Sequence, residues 1–386
     1  MFGVTQEAIK AAFIRGGTSK AVIFRREDLP EEQKDWDPIF LSLMGSPDPN
    51  GRQLDGMGGG LSSLSKICVV GRSKRSDADV DYTFAQVGIR EATVDYAGNC
   101  GNMSSAIGPF AVDEGLVDPP ADGTATIRIY NTNTAKIICA SFETRNGKAV
   151  VAGDFRIDGV AGSGAPIRLE FMDPGGAKTG TLLPTGAARD VLNVPGLGET
   201  EVTLLDAANP CVFVPASALG KVGNERPDEL DGDALLLERL EAIRSAGSVR
   251  MGLAANLVEA HRISSIPQII MVSAPADMRT TSGERLSARD YSIGVRAISN
   301  GQPHRALMIT GALCLAVAVR INGTIPHGLA TASSGPIRIG HPSGILSVDA
   351  EVVGTENPAE ARATYGAIYR TSRRLFEGRV LYSLSR

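Results

Sequence analysis

The chain has 386 residues, among them 44 Gly but only 11 Phe, 7 Tyr and 1 Trp, with 43% hydrophobic and 21% charged residues and a net charge of −4. This composition excludes a mainly disordered chain, the absence of a Gly-x-y period excludes collagen, and Lys and Arg scattered without long runs exclude a nucleic-acid surface. At roughly 100–200 residues per domain the length predicts two domains, and the glycine surplus, roughly 11% against about 7% on average, must serve turns and close backbone approaches.

From the N-terminus, Met1–Ala12 carries Glu7 and Lys10 and lacks a long apolar stretch, so it does not read as a signal peptide. Ile9–Ile14 and Ala21–Phe24 read as strands joined by the turn Arg15-Gly-Gly-Thr-Ser-Lys20. That turn lacks the spacer and order of a Walker A loop, which argues against a nucleotide. A helix over Trp36–Met44 ends at Gly45 and Pro47. The polar tract Gly51–Gly60 and the serines Ser62, Ser63 and Ser65 then lead into Lys66 and the strand Ile67–Val70. Two more strand-like runs end near Tyr96.

The turn Ala97-Gly-Asn-Cys-Gly-Asn102 follows, and Met103, Ala106, Ile107, Phe110 and Ala111 recur at helical spacing. Pro109 inside that pattern predicts a kink or an early helical start. Residues 124–160 alternate as strands, with a turn at Asn146-Gly147. The Gly/Pro-rich stretch 173–186 reads as a linker. Beyond it, strands are predicted over 200–215 and a helix over Asp233–Ala246 stopped by Gly247. A strand over Gln268–Ala274, a turn at Thr280–Gly283 and an all-apolar helix over Ala312–Val319 complete the pattern. Each half thus reads as strands, a glycine-containing turn and one enclosed helix of small residues. The longest apolar runs fall short of the ~20 residues of a membrane span.

Chemistry is sparse but placed. Glycines flanking Cys100 at a helix start leave backbone N–H groups pointing outward, where they favour a carboxylate or a thiolate; a small core cysteine at a tight turn is the other reading. Lys66 at a strand mouth can act as a general base or be an ordinary surface lysine. Cys68, Cys139, Cys211 and Cys314 read as core thiols, and His304 and His341 as structural or substrate-facing histidines. Five scattered cysteines without CxxC spacing point to reduced thiols in a cytoplasmic protein, and four His without HxH or HExxH argue against a zinc site.

The ordered set RGGTSK (15–20), MGSPD (44–48), QLDGMGG (53–59), Ser65-Lys66, GNCGN (98–102), GPFA (108–111) and HPSG (341–344) resembles the PrpF family, 2-methylaconitate cis–trans isomerases related to 4-oxalomesaconate tautomerases and methylitaconate isomerases. The resemblance runs from about residue 9 to the C-terminus. It implies an α+β fold like that of diaminopimelate epimerase: two pseudo-symmetric domains, 1–185 and 186–371, each a curved, mostly antiparallel sheet wrapped around a central helix, with a strand near 372–386 returning to the first. The family places its active site in the cleft between them. The epimerase uses one cysteine from each helix start. Here Cys100 matches the first, but Met308 stands at the second, and Cys314 lies one turn further in.

The resemblance therefore implies proton transfer by one principal base, Lys66, with Cys100 beside it, on an unsaturated tricarboxylate of the methylcitrate route of propionate breakdown. Thr18, Ser19, Met57, Gly58, Ser65, Asn99, Gly101, Asn102, Met103, Thr281, Ser282, Gly283, Met308, Thr310 and Gly311 are the expected carboxylate-holding and pocket residues. No cofactor, metal, nucleic acid or membrane is expected; a homodimer is left open.

Overall fold

The computed structural model describes residues 6–263, 265–299, 301–331 and 335–383. The first five residues, part of the segment read as no signal peptide, and the last three of the expected 372–386 strand lie outside these. Contacts divide the chain into two compact units, Met1–Glu170 with Tyr369–Arg386, and Phe171–Ile368.

In the first unit, β1 (Glu7–Gly16) and β2 (Ser19–Arg25) form a hairpin with Gly16 opposite Ser19. Helix α1 (Trp36–Met44) lies in the crossover to β3 (Lys66–Arg72), which runs parallel to β2, as a parallel pair requires. Gly45, in the left-handed region, ends α1. Antiparallel to β3 is β4 (Val80–Val87), followed by the short β5 (Val94–Asp95). Helix α2 (Gly101–Asp113) lies in the next crossover, to β6 (Gly123–Asn131), parallel to β4; β7 (Lys136–Arg145) and β8 (Lys148–Ala149) then fold back around Asn146-Gly147. The chain's last strand, Ser372–Tyr382, pairs with the other edge of β1.

Period-two alternation gives the sheet two apolar faces. Val22, Phe24, Ile67, Val69, Ala85 and Val87 pack with Ile39, Phe40 and Leu43 of α1. The opposite face closes on α2, whose residues 103–112 are all buried. The helix continues through Pro109 for a further turn instead of starting there. Between 145 and 166 the expected strands reduce to β8 and one bridge, Phe155 with Gly164.

Strand β9 (Ile167–Met172) carries the chain into the second unit. There β10 (Asp190–Val194), β11 (Gly198–Ala207) and β12 (Asn209–Pro215) form a meander, so the strands expected over 200–215 are a hairpin turned at Ala208. Helices α3 (Pro227–Asp231), α4 (Ala234–Arg250) and α5 (Leu257–Arg262) occupy the crossover to β13 (Gln268–Ser273), parallel to β12. The hairpin of β14 (Met278–Arg279) and β15 (Arg285–Leu286) precedes β16 (Ile293–Ser299) and β17 (Gln302–Pro303). Helices α6 (Ile309–Arg320) and α7 (Ile325–Leu329) lead to β18 (Ile337–His341), parallel to β16; β19 (Gly344–Val353) and β20 (Arg362–Arg370) continue antiparallel.

The connection order repeats: hairpin, crossover with an outer helix, parallel strand, antiparallel strand, crossover with a buried helix, parallel strand. In the second unit α4 is the outer helix, placing Leu236, Leu240 and Ile243 in an apolar cluster with β11–β13. Helix α6 is the enclosed one, buried from Gly311 to Val319. This is the α+β plan expected of each half. A further expectation fails: Gly247 does not stop α4, which runs on to Arg250. A Cβ at Gly247 would lie 2.6 Å from Val212 Cγ2, so the glycine admits the sheet and is not a cap. Among the described residues no helix is long and apolar enough to cross a membrane.

Candidate active site

The α2-facing side of β3 and β4 carries the polar residues. Since Ile67, Val69, Ala85 and Val87 point to α1, Lys66, Cys68, Tyr82, Phe84 and Gln86 take the other face. The register sets Lys66 opposite Gln86 and Cys68 opposite Phe84. Lys66 is only 8% exposed. Its Nζ donates to Gln86 Oε1 at 2.5 Å and lies 4.9 Å from the Phe84 ring centre, a cation–π distance. The Gln86 amide cannot turn away, because its Nε2 donates to the carbonyls of Ser62 (3.1 Å) and Ser65 (2.8 Å). Gln86 thus presents an acceptor to Lys66 in one orientation.

Cys68 is fully buried and donates to Tyr82 Oη at 3.8 Å. Burial, then the nearby Cys100, pushes the Cys68 thiol up, against smaller effects of Tyr82 and Lys66. Burial, with Cys68 and Cys100, likewise raises the Tyr82 phenol. Lys66 and Cys100 therefore both act on Cys68.

Cys100 is the N-cap of α2 and makes no side-chain cap. The first intrahelical bond is Ser104 N–H to the Cys100 carbonyl at 2.9 Å, reinforced by Ser104 Oγ at 3.1 Å. The amides of Gly101, Asn102 and Met103 precede that bond, leaving outward donors at the positive end of the helix dipole. Asn99 Oδ1 accepts from Ser104 Oγ and Asn131 Nδ2, each at 3.4 Å. Asn102 Oδ1 accepts from Thr18 N at 3.4 Å and Arg370 Nε at 3.2 Å. Gly17 has φ +53°, and a Cβ there would stand 2.2 Å from Asn102 Oδ1. Only glycine lets the β1–β2 turn reach the helix start. The Thr18 side chain is exposed and Ser19 is buried. Met103 is fully buried, so its side chain is core and only its amide belongs to the helix start.

The Gly-rich tract is more internal than its composition suggests. The amides of Met57 and Gly58 donate to the carbonyls of Leu43 (2.7 Å) and Met44 (3.3 Å) at the end of α1. Ser65 Oγ donates to Val87 O and accepts from Gln53 Nε2. These groups brace the strand mouth that holds Lys66.

Within the second unit, Met308 caps α6 without a side-chain bond. Thr310 Oγ1 accepts from Gln268 Nε2 at 3.2 Å, and Gly311 is buried beside the same amide. Cys314 is fully buried, its Sγ 3.4 Å from Leu205 O. Thr281 and Ser282 lie in the β14–β15 turn closed by Gly283, with Thr281 N donating to Pro342 O at 2.7 Å. Ser343 donates to His341 Nδ1 through its amide and to Arg305 O through Oγ, and Ala306 N donates to His304 Nδ1. The 281–283 turn, the 341–343 turn and the approach to α6 are thereby linked. Cys211 and Cys314 are core thiols; Cys139 is half-exposed on β7. Among the described residues no three His, Cys, Asp or Glu side chains are grouped as metal ligands.

Sequence reasoning missed Gln86, Asn131 and Arg370, and it quoted Gln53 in the QLDGMGG motif without giving it a role. The first three sit in no local motif; their partners are fixed by strand register and by chain returning from far away.

The sequence pattern of the PrpF protein family matches residues 6–383. The chain is 40% identical to a 2-methyl-aconitate isomerase of Cupriavidus necator over 389 aligned positions, covering 98% of both chains. It is also 40% identical to a 3-methylitaconate isomerase of Eubacterium barkeri, covering 97% of each. The crystal structure of a methylitaconate-delta-isomerase superposes with a TM-score of 0.91 at 40% identity, covering 98% of this chain and 96% of that one. With its predicted motifs, its two-helix plan and near end-to-end relatives in agreement, the chain belongs to the PrpF protein family and is an isomerase of that family.

Proposed function

We propose that this isomerase moves a proton on an unsaturated tricarboxylate without a cofactor, with cis–trans isomerisation of 2-methylaconitate as its reaction. The observation that carries the reading is Lys66: a buried amine held by Gln86 on the sheet face that also carries Cys68, itself under the influence of Cys100. Lys66 takes a proton from the methylene next to a carboxyl group. The electron pair spreads through the conjugated system as a dienolate, and the former double bond gains single-bond character and rotates. The proton then returns to the same carbon, so nothing is gained or lost. The charge develops on carboxylate oxygens, where fixed N–H donors stabilise it most. The amides of Gly101, Asn102 and Met103 are such donors. Within the first unit, Thr18, Ser19 and Asn99 are proposed to hold the substrate, while Met57, Gly58 and Ser65 support Lys66. We place the reaction in the cytoplasm, a reading supported by five free thiols.

A second reading, isomerisation of a methylitaconate, is favoured by the equal identity to the Eubacterium barkeri relative. It uses the same base but returns the proton to the other end of the allylic anion. An ultraviolet assay with trans-2-methylaconitate, 3-methylitaconate and 4-oxalomesaconate separates these readings, and turnover of none would leave a carboxylate-binding protein. For the base, Lys66→Ala is expected to lower kcat by about 10³-fold and to abolish solvent deuterium uptake. Undiminished turnover in that variant would sink the assignment.

A further inference from the structure

Arg370 belongs to no motif and has no role in the mechanism so far. It ends β20 and is 7% exposed. Its Nε donates to Asn102 Oδ1, in the first turn of α2, and Nη1 donates to the Tyr369 carbonyl at 3.0 Å. Among the described residues it forms no ion pair with a carboxylate, and Nη2 meets no protein acceptor. Burial lowers the guanidinium to a pKa of about 10, partly offset by Asp158, an exposed residue. The stem of the side chain packs close to the β1–β2 turn: a Cβ on Gly17 would stand 3.2 Å from Arg370 Cδ.

The placement is electrostatically unusual. Helix starts favour negative charge, yet here a buried cation abuts the start of α2, beside three amides that also point positive potential outward. Burying a charge is unfavourable unless an opposite charge compensates it. Asn102 contributes only an amide dipole. One carboxylate shared between the guanidinium and the helix amides would satisfy both, and the planar fork of arginine suits a carboxylate as a lysine does not.

We propose that Arg370 is a substrate-binding residue that holds one carboxylate of the substrate against the amides of Gly101–Met103. The proposal rests on the polycarboxylate reading above. It makes Asn102 a positioning residue, which aims Arg370 through Oδ1, and it explains why the Gly16-Gly17 turn is packed so tightly on this corner.

The test uses the full-length protein, with tricarballylate, a saturated tricarboxylate, as the binding probe in calorimetry and as a competitive inhibitor. Arg370→Lys should keep the wild-type circular dichroism and raise both the KM and the tricarballylate dissociation constant by about 10- to 100-fold, with a smaller change in kcat. Arg370→Ala should lose more, and millimolar guanidinium should restore part of it. If the variants do not fold, hydrogen exchange of the wild type still decides: tricarballylate should slow exchange at residues 99–104 and 369–372 together. Wild-type affinity in Arg370→Lys, or no protection of those two segments, overturns the proposal. A wild type that binds tricarballylate but turns over no candidate substrate refutes the isomerisation and leaves Arg370 judged by binding alone.

Discussion

At the scale of single residues, Lys66 shows how a strand can prepare a base. Its aliphatic stem is covered by the sheet, its Nζ is held by one amide, and that amide is locked by two carbonyls. Gln86→Leu removes the only acceptor described for Nζ and should lower kcat about 10-fold or more, because a misplaced base loses rate steeply with distance, with KM changed less. Gln86→Glu keeps the contact but adds a negative charge that favours the ammonium form, so the pH–rate profile should shift toward alkaline pH. A profile unchanged in Gln86→Glu would separate this amide from the chemistry. At Gly17, Ala would be forced into the left-handed region and against Asn102 Oδ1. We expect Gly17→Ala to cost about 1–3 kcal/mol, read from the urea midpoint, and to raise KM as well.

Among elements, α2 is tied down at both ends. Its start is held by the β1–β2 turn and Arg370, its end by Glu114, which pairs with Lys10 of β1 (3.0 Å) and Arg374 of the returning strand (2.8 Å). Burial pushes the Glu114 carboxyl up, but hydrogen bonds from Arg374 and Lys10 outweigh it and hold it below its ordinary value. A depressed carboxyl contributes stability above its unfolded pKa and loses it as pH falls through the folded value. Wild-type Tm should therefore fall more than that of Glu114→Gln between about pH 6 and about pH 3. Equal slopes would show that the pair does not stabilise the fold. Local signals served well here where the cause is local: the start of α4 at Asp233, Gly45 ending α1 and Asn146-Gly147 turning β7 into β8 were all legible. Gly247 was misread because a helix stop and a close packing contact look alike in sequence.

For the whole molecule, the main fact is how far the first unit reaches along the chain. Strand β1 pairs over its full length with Ser372–Tyr382, so this unit cannot close until residues 372–382 are made. Deleting residues 372–386 should expose the β1 edge, which invites aggregation. We expect loss of the monodisperse species on size exclusion and fast amide exchange over residues 7–16. A well-dispersed deletion variant with slow exchange there would show that the ladder is dispensable.

By itself the sequence determined the family, the order of strands and helices in each half, and the enclosed character of α2 and α6. These follow from periodicity, capping and turn chemistry, which act over a few residues. Only the tertiary structure decided that Gln86 meets Lys66, that Met57 and Gly58 spend their amides on α1, and that Arg370 stands beside Asn102, 268 residues away along the chain. Strand register and the return of the chain set those contacts. They depend on the packing of the whole unit, and no short window of sequence contains them.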